Sequence, residues 1–452
     1  MARNEPNHDL KRLLSEAGLS GEALARSVNQ AAAETNRVLR YTRKSVASWL
    51  AGSRPPAPVP ALVAEALSRH TGRLVTVQET GLSLVPDQPM DALRATGGCA
   101  RAALAMLTAA DTGPATRRAF RALPFRLANV PPAWSEPSPA PMTGARQLGA
   151  GELDALAYAT SYYAETINTF GAGHGRTALP AYLATDGAAF LTARADPETE
   201  KRILGQLSRL THLLARMCVD CGQAGAAQQY FNVAAQLAIE ARDRTLYAVT
   251  LRAMSAQLGQ LGHHDTELAE LALAAAPEDS PPAVRSFLMS HLAVARAACG
   301  DARPSLSALS DAIELHGGRD SDPATPFGGY PVAALHYQRG LVHQALGEYG
   351  KAASAFATSL RNRPAQARRA QALTLARLSE VLLLEGRVEQ ACASTERLLD
   401  TCGHIRCPRT AERLLDLRRR LLPHARRPRV RAVVSRLDGY EAHHALSTSL
   451  VR

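Results

Sequence analysis

Apolar residues recur at helical spacing from the start of the chain. Leu10, Leu13, Leu14 and Ala17 share one face and stop at Gly18, a residue suited to the left-handed conformation that ends helices. Ser20, a good N-cap, precedes Ala23, Leu24 and Val28, which predicts a second helix after a tight turn. Thr42 can cap a third helix, in which Val46, Trp49 and Leu50 fall at i, i+3 and i+4 and which must stop by Gly52. A fourth, after Pro60, carries Leu62, Val63, Ala66 and Leu67 as its buried stripe and ends near Gly72. Residues 29–41 lie between the second and third helices, so the second is either extended or followed by an extra turn.

The polar face of the third helix is basic at its front. Arg43, Lys44, Ser45 and Ser48 occupy its first two turns, where a helix in a major groove presents side chains to base edges and phosphates. Arg37, Arg40 and Arg54 extend the same acid-free stretch. Trp49 shares the face of Val46 and Leu50 and is therefore expected in the core rather than stacked on a base.

Between residues 85 and 150 prolines interrupt everything except a helical run near 99–110, a composition that suits a linker. Its most extended piece is expected at 135–142, which would loosely tether the N-terminal helices. Helical periodicity then resumes through Leu153, Leu156, Tyr158, Tyr162 and Ile167 and leads into Gly171-Ala-Gly-His-Gly-Arg176. No strand precedes these glycines and no lysine-serine pair follows, so an interhelical turn is expected rather than a phosphate loop. His174 and Arg176 stay weak candidates for a ligand or partner contact.

Beyond Glu198, turn glycines fall at Gly222, Gly262, Gly300, Gly347 and Gly386, separated by 40, 38, 47 and 39 residues. Near-constant spacing signals stacked helical hairpins that bury each other's apolar faces. The clearest unit holds Gly340, Gly347, Tyr349, Ala352, Phe356 and Pro364; small residues recur at Ala227, Ala312 and Ala391 opposite Phe231, Leu309 and Thr395. The expected fold class is all-α, a small N-terminal bundle followed by a helical-hairpin solenoid, with domains at 1–84, 85–150 (linker), 151–423 (repeats) and 424–452 (basic tail). A solenoid of this kind offers a concave face to a peptide, protein or small-molecule effector, or serves to dimerise.

Composition agrees: 46% of residues are apolar but only 5% aromatic, which favours helix over strand. The formal net charge of +11 is unevenly placed. Residues 406–436 hold eleven basic side chains against Glu412 and Asp416, whereas the first eighty hold eleven against seven acids. The Arg-rich end, with Arg418 to Arg420, Arg426, Arg427, Arg429 and Arg431, could add sequence-independent affinity for phosphates or be merely solvated. Seven scattered cysteines suggest reduced thiols, and no signal peptide or membrane span is evident, so a cytoplasmic location is expected. Cys218-Val-Asp-Cys221 and Cys402-Gly-His404-Ile-Arg-Cys407 have metal-like spacings, but structural thiols are favoured in both. No metal or other cofactor and no enzymatic activity are expected, since nucleophile-elbow, HExxH, Walker and dinucleotide patterns are missing.

Leu24-Ala25 and Thr42-Arg-Lys-Ser-Val-Ala-Ser-Trp-Leu-Ala-Gly52-Ser-Arg-Pro55 resemble the Cro/repressor-type (XRE) helix-turn-helix over the first eighty residues. The resemblance implies base contacts from Arg43, Lys44 and Ser48 and a phosphate contact from Arg54, and it departs from the usual short turn at 29–41. The unit around Gly340 resembles the tetratricopeptide pattern. Ser45-Val-Ala-Ser-Trp-Leu, Gly173-His-Gly-Arg176, Ala226-Ala-Gln-Gln-Tyr-Phe231 and Met254-Ser-Ala-Gln257 look like a group of streptomycete regulators combining both modules, some of them negative regulators of sporulation and antibiotic production. That resemblance implies a homodimeric regulator binding double-stranded DNA and controlling development or secondary metabolism. A different class, a non-enzymatic scaffold that holds partner proteins on its repeats, is the alternative.

Overall fold

The computed structural model describes residues 5–34, 37–82, 92–136, 148–193, 195–317 and 329–449, and the secondary structure among them is all helical. Four helices open the chain: α1 (His8–Glu16), α2 (Gly21–Ala33), α3 (Arg43–Leu50) and α4 (Val59–Thr71). Then come α5 (Ala92–Ala95), α6 (Ala100–Thr112), α7 (Arg117–Arg121), α8 (Ala150–Phe170) and α9 (Ala172–Gly175). Next are α10 (Ala178–Tyr182), α11 (Ala188–Thr192), α12 (Pro197–Asp220) and α13 (Ala224–Glu240). The rest are α14 (Arg244–Gln260), α15 (Glu267–Ala275), α16 (Pro282–Ala298), α17 (Ala302–His316), α18 (Val332–Ala345), α19 (Tyr349–Arg361), α20 (Arg368–Leu384), α21 (Val388–Cys402), α22 (Pro408–Leu421) and α23 (Pro428–Ser449). No helix among the described residues is long and apolar enough to cross a membrane.

The chain forms two compact units, Met1–Glu152 with Thr177–Ala241, and Leu153–Arg176 with Arg242–Arg452. These limits differ from the boundaries read along the sequence. The hairpin α12–α13, expected to begin the repeats, belongs to the first unit, and the segment expected as a tether packs on it.

In the first unit α1 and α2 start on side-chain caps. Asn7 Oδ1 accepts from the Leu10 amide at 2.9 Å, and Ser20 Oγ from that of Ala23 at 3.1 Å. At α3 the Thr42 amide donates to Ser45 Oγ at 3.3 Å. α4 ends on Gly72, whose φ of 67° is the left-handed conformation expected of a glycine stop. The apolar stripes meet in one core of Leu10, Leu13, Leu24, Val28, Val46, Leu62, Val63 and Leu67. Each such side chain contributes about 1.5–3 kcal/mol of burial.

The proline-rich segment proves largely structured between 92 and 136. α6 covers the predicted run, and Tyr230 of α13 donates to Asp111 of α6 at 3.1 Å while stacking edge-on against Phe120 of α7. Gln228 of α13 accepts from the Arg126 amide at 2.9 Å and donates to the Arg126 and Asn129 carbonyls at 2.7 and 3.0 Å. A Cβ on Gly225 would lie 2.3 Å from the Pro124 carbonyl oxygen, so only glycine admits this approach. Side chains of α13 satisfy backbone groups of this stretch, so residues 123–129 are packed rather than free. Residues 137–147 lie outside the described residues, as does most of the expected extended piece.

The predicted turn glycines all take the left-handed conformation, with φ between 70° and 90° at Gly222, Gly262, Gly300, Gly347 and Gly386. After each, the next amide bonds five residues back: Gln223 to Cys218, His263 to Leu258, Asp301 to Arg296, Glu348 to His343 and Arg387 to Leu382. That is the Schellman closure, so the sequence period is a period of helix stops. A second regularity joins the helices of three hairpins. Ser208, Ser286 and Ser359 hydroxyls donate to the Ala234, Ala312 and Ala333 carbonyls at 2.7, 2.6 and 2.6 Å. Ala227, Ala312 and Ala391 are buried, and a Cβ on Gly340 would meet the Phe356 ring at 2.4 Å, which accounts for the small residues where paired helices touch.

The C-terminal end is no free tail. α23 buries Val430, Val433 and Leu437 in a core shared with Leu398, Leu414 and Leu421. An amphipathic stripe hidden by the high arginine content lets it close the second unit.

Candidate nucleic-acid interface

The insertion at 29–41 determines how α3 is held. α2 runs on to Ala33, and the Arg37 amide bonds back to the Ala32 carbonyl at 3.0 Å. Asn29, a polar residue on the otherwise apolar face of α2, reaches across the insertion. Its Oδ1 accepts from the Tyr41 amide and its Nδ2 donates to the Tyr41 carbonyl, both at 2.9 Å. Tyr41 then packs edge-on against Trp49, ring centroids 5.1 Å apart, and Trp49 is buried as a core residue. The C-terminal end of α3 is fixed by the Asn7 amide, which donates to the Leu50 carbonyl at 2.9 Å. α3 is thus held at both ends.

On this framework Arg43, Lys44 and Ser48 of α3 are exposed, with Arg40 before it and Arg54 after it, while Ser45 and Arg37 are half-buried. Ser45 has its hydroxyl engaged at the helix start, so capping is its visible role. Among the described residues Arg40, Arg43, Lys44 and Arg54 have no carboxylate partner. Other arginines of the four-helix unit do: Arg12 with Asp9 and Glu16, Arg26 with Glu22, Arg69 with Glu34 and Glu65, and Arg73 with Glu16 and Glu79. The face around α3 therefore holds uncompensated positive charge among the described residues, whereas Arg12, Arg26, Arg69 and Arg73 are offset by carboxylates.

Arg69 binds Glu34 in a two-pronged pair at 2.7 and 2.8 Å, and its Nε donates to Glu65 at 2.7 Å. Burial opposes the Arg69 charge, yet these two carboxylates raise its affinity for the proton. Burial pushes the Glu65 carboxyl up, against the Arg69 bond. The same groups hold the 125–127 strap, since Arg69 donates to the Phe125 carbonyl at 3.2 Å and the Leu127 amide to Glu65 at 3.3 Å. The sequence reading missed Asn29 and this network. Asn29 had a signal, a polar residue between buried Val28 and Ala32; the network had none, being assembled from positions far apart in the chain.

The other candidate groups have different settings. His174 is exposed and lies beside Phe170, while Arg176 is buried. The glycines of that loop serve a backbone approach: Gly173 donates to the Arg406 carbonyl and the Arg406 amide to that of Phe170, both at 2.8 Å. A Cβ on Gly171 or Gly173 would sit 2.7 or 2.8 Å from the Arg406 oxygen. All seven cysteines are free thiols. Cys402 and Cys407 are buried whereas His404 is exposed, and burial pushes the Cys402 thiol up to about 12. No group of three or more metal-binding side chains is assembled among the described residues. In the Arg-rich end, Arg418, Arg427 and Arg429 pair with Asp438, Glu389 and Glu396, and Arg419 and Arg420 with Asp416. Among the described residues Arg426 and Arg431 have no such partner.

Residues 10–83, from α1 to just past the turn that follows α4, are similar to the family described as the SP15 N-terminal domain, whose model matches them. No curated protein matches the chain.

Proposed function

We propose that the chain is a sequence-specific DNA-binding transcriptional regulator, acting in the cytoplasm, that inserts α3 into a major groove. The observation that carries this reading is the group of exposed, unpaired cations around α3, Arg40, Arg43, Lys44 and Arg54, on a helix clamped by Asn29 and Asn7. Unpaired arginine and lysine at a helix front can donate to guanine edges, and flanking cations can neutralise phosphates. The likeness of 42–55 to the XRE helix-turn-helix supports the same reading. On it, the tetratricopeptide-like hairpins form an effector or dimerisation module, and the protein controls development or secondary metabolism, as the resemblance to streptomycete regulators implies.

Crosslinking and immunoprecipitation of the full chain from its host tests this. The reading requires fragments that share a discrete motif, lost in R43A/K44A with protein level unchanged. Enrichment without a motif, or none, favours a scaffold that holds partner proteins.

A further inference from the structure

In the second unit, the first helices of successive hairpins bring an unusual set of cations together. Tyr337 of α18 receives a hydrogen bond from Arg377 of α20, and the guanidinium of Arg363 lies 5.9 Å from the Tyr337 ring centroid. Arg409 and Arg413 are one turn apart on α22, which packs on α20, and both act electrostatically on Tyr337. Glu380 is an acid of this cluster, and it is shared, 3.0 Å from Arg377 and 3.7 Å from Arg420. Arg363 and Arg413 have no carboxylate partner among the described residues, and the Nε of Arg363 is buried without an acceptor.

These side chains are half-buried, neither dispersed in solvent nor packed away. At Arg413 the effect of the neighbouring cation is repulsive, while Tyr337 and Glu380 favour the charge of Arg377 against burial. The neighbouring Arg377, followed by burial, lowers the affinity of Arg413 for its proton. For Tyr337, burial works against ionisation, but Arg377, Arg409 and Arg413 outweigh it and bring the hydroxyl down. Like charges gathered where water is partly excluded destabilise a fold unless an anion offsets them.

We propose that this cluster is a binding site for a small phosphorylated molecule, its phosphate held by the guanidinium groups of Arg363, Arg377, Arg409 and Arg413. Arginine forks match phosphate oxygens in pairs, and a phosphate dianion offsets more of the excess charge than a single carboxylate. The inference extends the reading of the repeats as an effector module. Its test contains no DNA, so it and the DNA-binding assignment can fail separately.

Isothermal titration of the full chain with pyrophosphate, at about 0.15 M salt, is the test. Saturable binding is expected, weakened at least tenfold in R409Q/R413Q and by less than twofold in R426Q/R431Q, which removes exposed cations from outside the cluster. Without ligand, R413Q should melt no lower than the parent, because it relieves repulsion. If R409Q/R413Q unfolds, R363Q carries the same comparison with an expected loss of at least threefold. No saturable binding of pyrophosphate, equal weakening in R426Q/R431Q, or tighter binding of a hexaglutamate peptide than of pyrophosphate would each overturn the proposal.

Discussion

The two most basic stretches of the chain put the same side chains to opposite uses. Around α23, arginines meet carboxylates supplied by neighbouring helices: Arg429 with Glu396, Arg436 with Asp400, Arg427 with Glu389. Around α3, Arg40, Arg43, Lys44 and Arg54 meet none among the described residues. The C-terminal stretch is the more basic by residue count, but much of its charge is paired, whereas these four cations around α3 stay uncompensated among the described residues. Recognition of an anion follows from uncompensated charge on a fixed surface, so the density of arginine along the sequence is a poor guide to it.

The sharpest way to break this contrast is to remove cations from each region in turn. R43A/K44A should lower specific DNA affinity by about a hundredfold or more, as expected for the loss of two contacts at base edges, with an unchanged helical spectrum. R429Q/R436Q should alter it by less than about twofold in the same binding assay.

A smaller loss is expected at the clamp. Asn29→Ala leaves both backbone groups of Tyr41 without their partner, which should destabilise the first unit by about 1–3 kcal/mol in denaturant unfolding. It should also weaken DNA binding about tenfold by loosening the start of α3. Unchanged binding in a destabilised Asn29→Ala protein would mean that the clamp supports the fold and not the interface.

Salt dependence gives a finer distinction. R43A/K44A should reduce the slope of log affinity against log salt by up to about two, whereas R429Q/R436Q should change it by less than about 0.5. The smallest effect is thermal: R429Q should move the melting midpoint by no more than about 2 °C, since Arg429 and Glu396 form an exposed pair.

Helix positions in the N-terminal bundle were legible because caps and glycine stops are local. Ser20, Thr42, Gly52 and Gly72 bracket segments whose apolar spacing then finds the core. The hairpin period was legible for the same reason, each Gly at a helix stop enforcing a local backbone closure. What escaped depends on distant partners. Proline density suggested a linker, yet the fate of residues 123–129 is decided by Gln228 and Gly225, some hundred residues on. Likewise, nothing local to Arg429 or Arg436 foretold Glu396 and Asp400. At the candidate interface the exposed cations were readable, while the means of fixing them, Asn29 on Tyr41 and Asn7 on Leu50, was not.

Selection of duplexes from a random pool by the purified full chain, at about 0.15 M salt, tests the central claim most directly. A discrete consensus should emerge with the parent protein and vanish with R43A/K44A, while R429Q/R436Q recovers the same consensus. Absence of any consensus, or one that survives R43A/K44A unchanged, would contradict it.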